Sequence, residues 1–179
     1  MASMDKRDGF TLIELLMVIG VAGVLLALGG ALASKFAARH STDNVTRTIS
    51  SALQLMKLKA AREGVEYQAI LTFDSSKGTL TIVTQRGNSN RGTCSTCYVT
   101  ETSQTIGLSN ARVTINPASK TFNFNPDGTL GGASGTVNVQ PASGKSGSRC
   151  GQVVVNPFGR IRIVEGNWSS SSSTCTPVY

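Results

Sequence analysis

The feature that most constrains this chain is an apolar run close to its N-terminus. Twenty-four consecutive residues, Phe10 to Ala33, contain a single charged side chain, that of Glu14. As a helix, which rises 1.5 Å per residue, such a run is about 36 Å long, more than the roughly 30 Å of a bilayer core. We therefore predict a transmembrane helix over residues 10–34, preceded by a short polar leader, residues 1–9.

The apolar run differs from a secretory signal peptide. The apolar core of a signal peptide has about 7–15 residues, and its small-residue cleavage site follows that core. In this chain the plausible cut lies before the run, between Gly9 and Phe10. The hydrophobic segment is therefore expected to stay in the mature protein.

Glu14 needs an explanation, because an acidic side chain inside a membrane span costs about 2.5–3.5 kcal/mol on insertion scales. One explanation is structural: Glu14 lies one turn into the run, so its carboxylate can reach the nearby interface. The other is a charge pair within the apolar surroundings. Cleavage after Gly9 would create a positive partner for it, the α-amine of Phe10, and we favour this second explanation.

The sequence from Gly9 to Gly20, GFTLIELLMVIG, closely resembles the class III signal of type IV prepilins and pseudopilins. The resemblance implies that a membrane aspartyl peptidase, the prepilin peptidase, cuts after Gly9 and N-methylates Phe10. It also implies that Glu14 neutralises the N-terminus of a neighbouring subunit during filament assembly. The expected partners are other pilins or pseudopilins, the prepilin peptidase and inner-membrane lipid, and Met4 is an alternative start of the chain.

The helical pattern continues beyond the apolar run, over residues 35–64. Apolar side chains recur there at spacings of three and four residues, which places them on one face of a helix. Gly64 is a suitable stop, because glycine adopts the left-handed conformation that often ends a helix. The stripe predicts that this segment packs against the following domain; its members are Val45, Ile49, Ala52, Leu53, Met56 and Ala60.

Residues 65–179 have the composition of a β-rich domain, with many Gly, Ser, Thr and Asn residues between short apolar stretches. Val65–Phe73 and Thr79–Thr84 flank the turn-forming sequence Asp74–Gly78, which predicts a hairpin. The predicted fold class is α+β, a long N-terminal helix packed on an antiparallel β-sheet or sandwich. The remaining predicted strands are Tyr98–Thr102, Arg112–Asn116, Thr121–Asn125, Thr136–Gln140, Gln152–Asn156 and Arg160–Val164, and the predicted connectors are Gly131–Gly135 and Pro141–Ser148.

Two stretches of this domain narrow the resemblance. Phe122–Thr129, with the sequence FNFNPDGT, resembles the strand-and-turn signature of the GspH/FimT group of minor pilins. Gln152–Ile163 resembles the closing strand, turn and strand of the same group. The resemblance implies a minor pilin or pseudopilin with a periplasmic domain, a subunit that initiates or caps a type IV pilus or a type II secretion pseudopilus.

The four cysteines are Cys94, Cys97, Cys150 and Cys175, and the sequence alone allows three pairings. Similarity to the C-terminal disulfide loop of many pilins favours Cys150–Cys175, and the second predicted pair is Cys94–Cys97, which would close a tight loop. The rival interpretations are a four-cysteine zinc site and a redox-active C-x-x-C motif. They are disfavoured because zinc sites usually show two such pairs and no βαβ pattern surrounds this one.

Arg160 and Arg162 alternate along a predicted strand, so both are expected on one face, where two guanidinium groups suit phosphate oxygens. An edge strand protected by its charges is the alternative interpretation. The motif Gly159-Arg-Ile-Arg resembles one that FimT-type minor pilins carry, linked to DNA binding in natural transformation. Lys145 and Arg149 would extend the patch. The alternative function is therefore salt-sensitive binding to the phosphates of double-stranded DNA.

An enzyme is the disfavoured interpretation. The chain has one His and no cluster of His, Asp and Glu, so neither a metal centre nor a Ser–His pair is expected. No cofactor is expected either. Residues 35–179 carry 15 Lys and Arg against 7 Asp and Glu, a net charge of +8, which suits an anionic partner or simple solubility.

Overall fold

The computed structural model describes residues 11–88, 97–108, 113–132, 134–141, 144–172 and 174–178, without the side chains of 26–39. The chain divides into two compact units, Met1–Ala37 and Ala38–Tyr179. None of the helical segments among the described residues has both the length and the apolar character needed to cross a membrane.

One helix, α1, runs from Leu12 to Glu63. Within the second unit its buried side chains follow the predicted stripe, with Val45, Ile49 and Leu53 in the hydrophobic core and Ala52 partly buried against it; Met56 and Ala60 complete the stripe. The helix ends where the sequence predicts. The amide of Gly64 donates to the carbonyl of Ala60 at 3.0 Å, and Gly64 has a φ of 68°, the left-handed conformation that stops helices.

After the helix, the described residues form nine strands in two antiparallel sheets. The first sheet has four strands in the order β3-β2-β1-β5, and the second has five in the order β4-β6-β7-β8-β9. The chain therefore crosses between the sheets three times, before β4, before β5 and before β6. The strands are β1 Tyr67–Asp74, β2 Thr79–Arg86, β3 Val99–Gly107, β4 Val113–Asn116, β5 Ser119–Phe124, β6 Gly135–Pro141, β7 Arg149–Val155, β8 Ile161–Ser169 and β9 Thr174–Pro177.

The main core of the second unit joins the inner face of α1 to residues from both sheets. Side chains alternate between buried and less buried along β1, β2 and β6, as expected of strands with one covered face. A second, small cluster contains Cys150, Trp168 and Cys175. The predicted α+β class, a helix packed on antiparallel sheets, is confirmed, and the largest fully buried side chains of the main core include Tyr67, Phe122, Phe124, Ile49, Leu53 and Leu80.

The predicted hairpin of β1 and β2 is confirmed, and Asp74 stabilises its turn by accepting from the amides of Ser76 and Lys77 at 2.9 and 3.2 Å. The bounds of later strands differ from the prediction. Gly135 and Pro141 were assigned to connectors, but they begin and end β6, where both have a partner across the sheet.

The largest differences are the strands β3, β8 and β9. β3 and β8 each extend five residues beyond their predicted ends, to Gly107 and Ser169, and β9 was not predicted at all. The predicted connector up to Ser148 matches the structure in its last part, because β7 begins at Arg149. The polar loop around Cys94 lies outside the described residues.

Candidate functional site

The first described residues lie directly after the prepilin cleavage position. Gly9 and Phe10 lie outside the described residues, but Glu14 lies in the first turn of α1 and is exposed. Its amide donates to the carbonyl of Thr11 at 3.1 Å and to Thr11 Oγ1 at 3.4 Å. Thr11 therefore caps the helix, and Glu14 occupies the third helical position, the spacing of a capping box.

Thr11 is a contribution that the sequence prediction missed, although the pattern Thr-x-x-Glu is its signal. A carboxylate at this position is also favoured by the positive end of the helix dipole. The position of the Glu14 carboxylate is thus favourable for the helix itself, whether or not a second subunit is present. A test of the assembly role must separate it from this effect on the helix.

The first unit presents apolar side chains to its surroundings. Every described side chain from Thr11 to Leu25 is exposed. Leu15 to Ile19 are five consecutive apolar residues, more than one helical turn, so apolar groups face every direction around the helix. The exposed large apolar side chains of this segment are Leu12, Ile13, Leu15, Leu16, Met17, Val18, Ile19, Val21, Val24 and Leu25.

The Gly159–Arg162 motif lies at the turn between β7 and β8. Asn156 closes that turn: its amide donates to the carbonyl of Arg160 at 3.1 Å, and its Oδ1 accepts from the amide of Arg160 at 2.8 Å. The amide of Gly159 donates to the carbonyl of Asn156 at 2.9 Å. The segment from Asn156 to Arg160, called the hairpin tip below, is therefore held by its own hydrogen bonds.

The hairpin tip packs against the turn that follows β5. Gly159 is buried with a φ of 67°, and a Cβ added there would overlap the carbonyl oxygen of Gly128. The amide of Leu130 donates to the carbonyl of Pro157 at 3.0 Å. The two stretches that carry the GspH/FimT resemblance thus contact one another, and only glycine fits at position 159 without a shift of backbone.

The turn after β5 is itself ordered by side chains. Asp127 Oδ1 accepts from the amide of Thr129 at 2.9 Å and from its hydroxyl at 2.6 Å. Asn125 Nδ2 donates to the same hydroxyl at 3.0 Å. Lys57 on α1 completes the arrangement, because its Nζ donates to the carbonyl of Gly159 at 3.0 Å. Helix, turn and hairpin tip are therefore fastened together.

The basic side chains do not form the single patch that was predicted. Arg162 pairs with Val154 and Arg149 with Asn167 in the β7–β8 ladder. Positions 149 and 154 of one strand are an odd number of residues apart, so Arg149 and Arg162 lie on opposite faces of the sheet. Extension of the patch by Arg149 is therefore wrong.

The positive charge of Arg149 is also balanced by two acidic side chains. It forms an ion pair with Glu165, and its Nε is 3.7 Å from Asp43 Oδ1 on α1. By contrast, Arg160 and Arg162 are exposed and make no ion pair with any residue that the structure describes. Lys145 is exposed as well, in the segment before β7.

A polar network joins the end of α1 to the first sheet, and no sequence pattern had indicated it. Glu101 on β3 accepts from Lys59 and from the Tyr67 hydroxyl, each at 2.8 Å. The hydrogen bond from Lys59 lowers the pKa of Glu101. Burial, with the neighbouring carboxylates, raises the pKa of Tyr67 far above its usual value. Arg86 likewise binds Glu63 at 2.8 Å.

The predicted Cys150–Cys175 disulfide is confirmed, with a Cα–Cα distance of 5.9 Å. It joins β7 to β9, and Trp168 of β8 packs beside it with 4% of its surface exposed. Cys97 is also disulfide-bonded. The predicted pair Cys94–Cys97 falls partly outside the described residues, because Cys94 is not among them.

Two family profiles match this sequence. Residues 4–30 match the prokaryotic N-terminal methylation motif. Residues 45–159 match the profile described as type II transport protein GspH, which covers more than half of the chain. A search of curated protein sequences finds no match.

Solved structures with similarity to this chain include a minor pilin and a minor pseudopilin. The type IV minor pilin FimU of Pseudomonas aeruginosa is 18% identical, with a TM-score of 0.50, covering 76% of this chain and 94% of that chain. The minor pseudopilin EpsH of the Vibrio cholerae type 2 secretion system is 13% identical, with a TM-score of 0.49, covering 69% and 96%. The likeness to FimU shows a shared fold. DNA binding gains no support from these comparisons and stays a prediction.

Proposed function

Because this chain belongs to the GspH family of type II transport proteins, we propose that it is cut after Gly9, N-methylated on Phe10 and held in the inner membrane by its N-terminal helix. As a family member it is a membrane-anchored minor pilin-like subunit that assembles with other pilins or pseudopilins. The prepilin peptidase and membrane lipid are the further partners of the proposal. Its filament is a type IV pilus or a type II secretion pseudopilus.

The observation that carries this proposal is Glu14 within the apolar first unit. A helix that is apolar on every side is normally buried, either in lipid or in a larger assembly. Its surroundings then have a low dielectric constant, in which a lone carboxylate is costly and an opposite charge close by is strongly attractive. The α-amine of a processed Phe10 on a neighbouring subunit supplies that charge. The match of residues 4–30 to the N-terminal methylation motif supports the cleavage and methylation that this requires.

The test is the incorporation of full-length variants into filaments in cells that make them. Glu14→Ala, and its near-isostere Glu14→Gln, are expected to be processed and membrane-bound but missing from the sheared filament fraction. Mass spectrometry of the mature N-terminus checks cleavage and methylation of Phe10. Gly9→Leu is expected to leave the leader attached.

Thr11→Ala is the matched control, because it removes the helix cap and keeps the carboxylate. Loss of a cap costs about 1 kcal/mol of helix stability. If Glu14 acts through its charge, Thr11→Ala assembles while Glu14→Gln does not. Normal assembly of Glu14→Gln, or equal loss in both variants, would contradict the charge-pair role.

A further inference from the structure

The hairpin tip carries an aromatic side chain that the fold does not use. Phe158 is 78% exposed, more than any other large apolar side chain described in the unit Ala38–Tyr179. A large aromatic ring contributes heavily to association when it becomes covered, and leaving it in water forgoes that stabilisation. A single exposed apolar residue is ordinary by itself, so the argument depends on how this one is presented.

The backbone on both sides of Phe158 is fixed. On one side the Pro157 carbonyl accepts from Leu130, and on the other Gly159 is buried against Gly128. Lys57 holds the carbonyl of Gly159 at 3.0 Å. The conformational entropy of the tip is therefore lost on folding rather than on binding, which is the condition that makes an anchor residue effective.

Two cations accompany the ring. Arg160 follows Phe158 by two residues and Arg162 by four, and both guanidinium groups are exposed without an ion pair among the described residues. Aromatic residues and arginine are the types that most often dominate binding energy at protein interfaces. The hairpin tip and the adjoining Arg162 therefore present an apolar ring together with two cations close to it in sequence.

Building on the proposed assembly role, we propose that the hairpin tip docks on another pilin or pseudopilin subunit, with Phe158 in an apolar pocket whose rim is acidic. The family assembles from such subunits, and an acidic rim complements Arg160 and Arg162. Single-stranded nucleic acid is the less suitable partner, because it is held by several aromatic rings that stack successive bases. Trp168, the neighbouring ring in sequence, is buried beside the disulfide.

The test is photo-crosslinking by the full-length chain, with a benzophenone amino acid in place of Phe158, in cells that assemble the filament. The matched control places the same amino acid at Val99, which is 69% exposed on β3. From position 158 we expect an adduct with a different subunit. Its partner is recognised in mass spectra by an N-methylated first residue and by crosslinked peptides that contain Asp or Glu. Position 99 is expected to give no such adduct.

Substitutions measure the two parts of the interaction. Phe158→Ser is expected to lower co-purification of that subunit from detergent extracts about 30-fold, the effect of losing an interface hot spot. Phe158→Leu is expected to retain more of this co-purification than Phe158→Ser. Arg160→Glu with Arg162→Glu is expected to lower the adduct yield at least about tenfold, because the introduced carboxylates then repel acidic groups. Formation of Cys150–Cys175, seen as a mobility shift on reduction, verifies folding of each variant.

The outcomes separate this docking from the assembly role. Assembly of the wild type with no adduct from position 158 above that from position 99 would overturn the docking and leave the assembly role intact. An adduct with DNA or with a second copy of the chain would overturn it too. Normal filament incorporation of Glu14→Gln, with the expected adduct still formed, would instead remove the charge-pair role and keep the docking.

Discussion

Replacement of Gly159 by alanine tests whether the hairpin tip is as tightly fixed as its contacts indicate. Gly159 has a φ of 67°, and an added Cβ would overlap the carbonyl oxygen of Gly128. Two separate costs therefore arise from one methyl group. The first is backbone strain, and the second is the displacement of a neighbouring turn.

The size of each cost follows from its cause. A residue with a Cβ in the left-handed region costs about 1–2 kcal/mol. Forcing an extra methyl group into a packed site costs about another 1–3 kcal/mol. Gly159→Ala should therefore lower the free energy of unfolding by about 2–5 kcal/mol. At roughly 4 °C per kcal/mol for a domain of this size, the midpoint falls by about 8–20 °C.

Gly147→Ala is the control that isolates the backbone cost. Gly147 has a φ of 81°, but apart from its two chain neighbours no described residue has a heavy atom within 4 Å of an added Cβ. Its substitution should cost only about 1–2 kcal/mol. The measurement is thermal unfolding of the full-length variants in detergent micelles, followed by far-ultraviolet circular dichroism under non-reducing conditions.

The difference in stability between Gly159→Ala and Gly147→Ala tests whether the packing cost at Gly159 is real. If Gly159→Ala is no less stable than Gly147→Ala, the turn after β5 can move away from the added methyl group at no measurable cost in stability. The close approach of Gly128 would then not constrain the backbone beside Phe158, and the preorganisation argued for that ring would fail with it.

Three further predictions concern stability. Removal of the Cys150–Cys175 bridge, which spans 25 residues, should cost about 3 kcal/mol in urea unfolding and raise Trp168 fluorescence; an unchanged unfolding midpoint would contradict it. Because the pKa of Tyr67 is raised in the folded state, the wild type should lose stability as the pH rises above about 10, and Tyr67→Phe should lose less. Because the pKa of Glu101 is lowered, stability should also fall as the pH drops below about 4, and Glu101→Gln should flatten that dependence; equal acid profiles would contradict it.

The helix and the first hairpin were predictable because strong local signals agree with the tertiary structure there. The stripe that includes Val45, Ile49 and Leu53 has helical spacing and is buried as a unit. Gly64 provides the left-handed residue at which the helix ends. Each of these features is readable from neighbours a few residues apart.

The strands β3 and β9 were harder to predict, because tertiary pairing rather than local pattern stabilises them. β3 is exposed on both faces except at Ile106, so it has no alternation of apolar and polar residues. It exists because it pairs with β2 over its length. β9 has four residues, and the disulfide at Cys175 joins it to β7.

The candidate site likewise has one part that the sequence predicts and one part that it does not. The prepilin signal, from Gly9 to Glu14, is contiguous in sequence and matches a family motif directly. The predicted basic patch instead depended on which face each strand residue occupies. Arg149 pairs with Asn167 and lies opposite to Arg162, a register that only the assembled sheet determines.

The motif Gly159-Arg-Ile-Arg therefore combines two roles that alternate along the chain. Gly159 and Ile161 face inward: the first contacts the turn at Gly128, and the second packs against the main core. Arg160 and Arg162 face solvent, and nothing in the described fold requires their charge. A substitution of an inward residue should reduce stability and binding together, whereas a substitution of an outward residue should reduce binding alone. A partner that recognises this hairpin should therefore bind Arg160→Glu and Arg162→Glu more weakly than the wild type. The unfolding midpoint of both variants should stay constant.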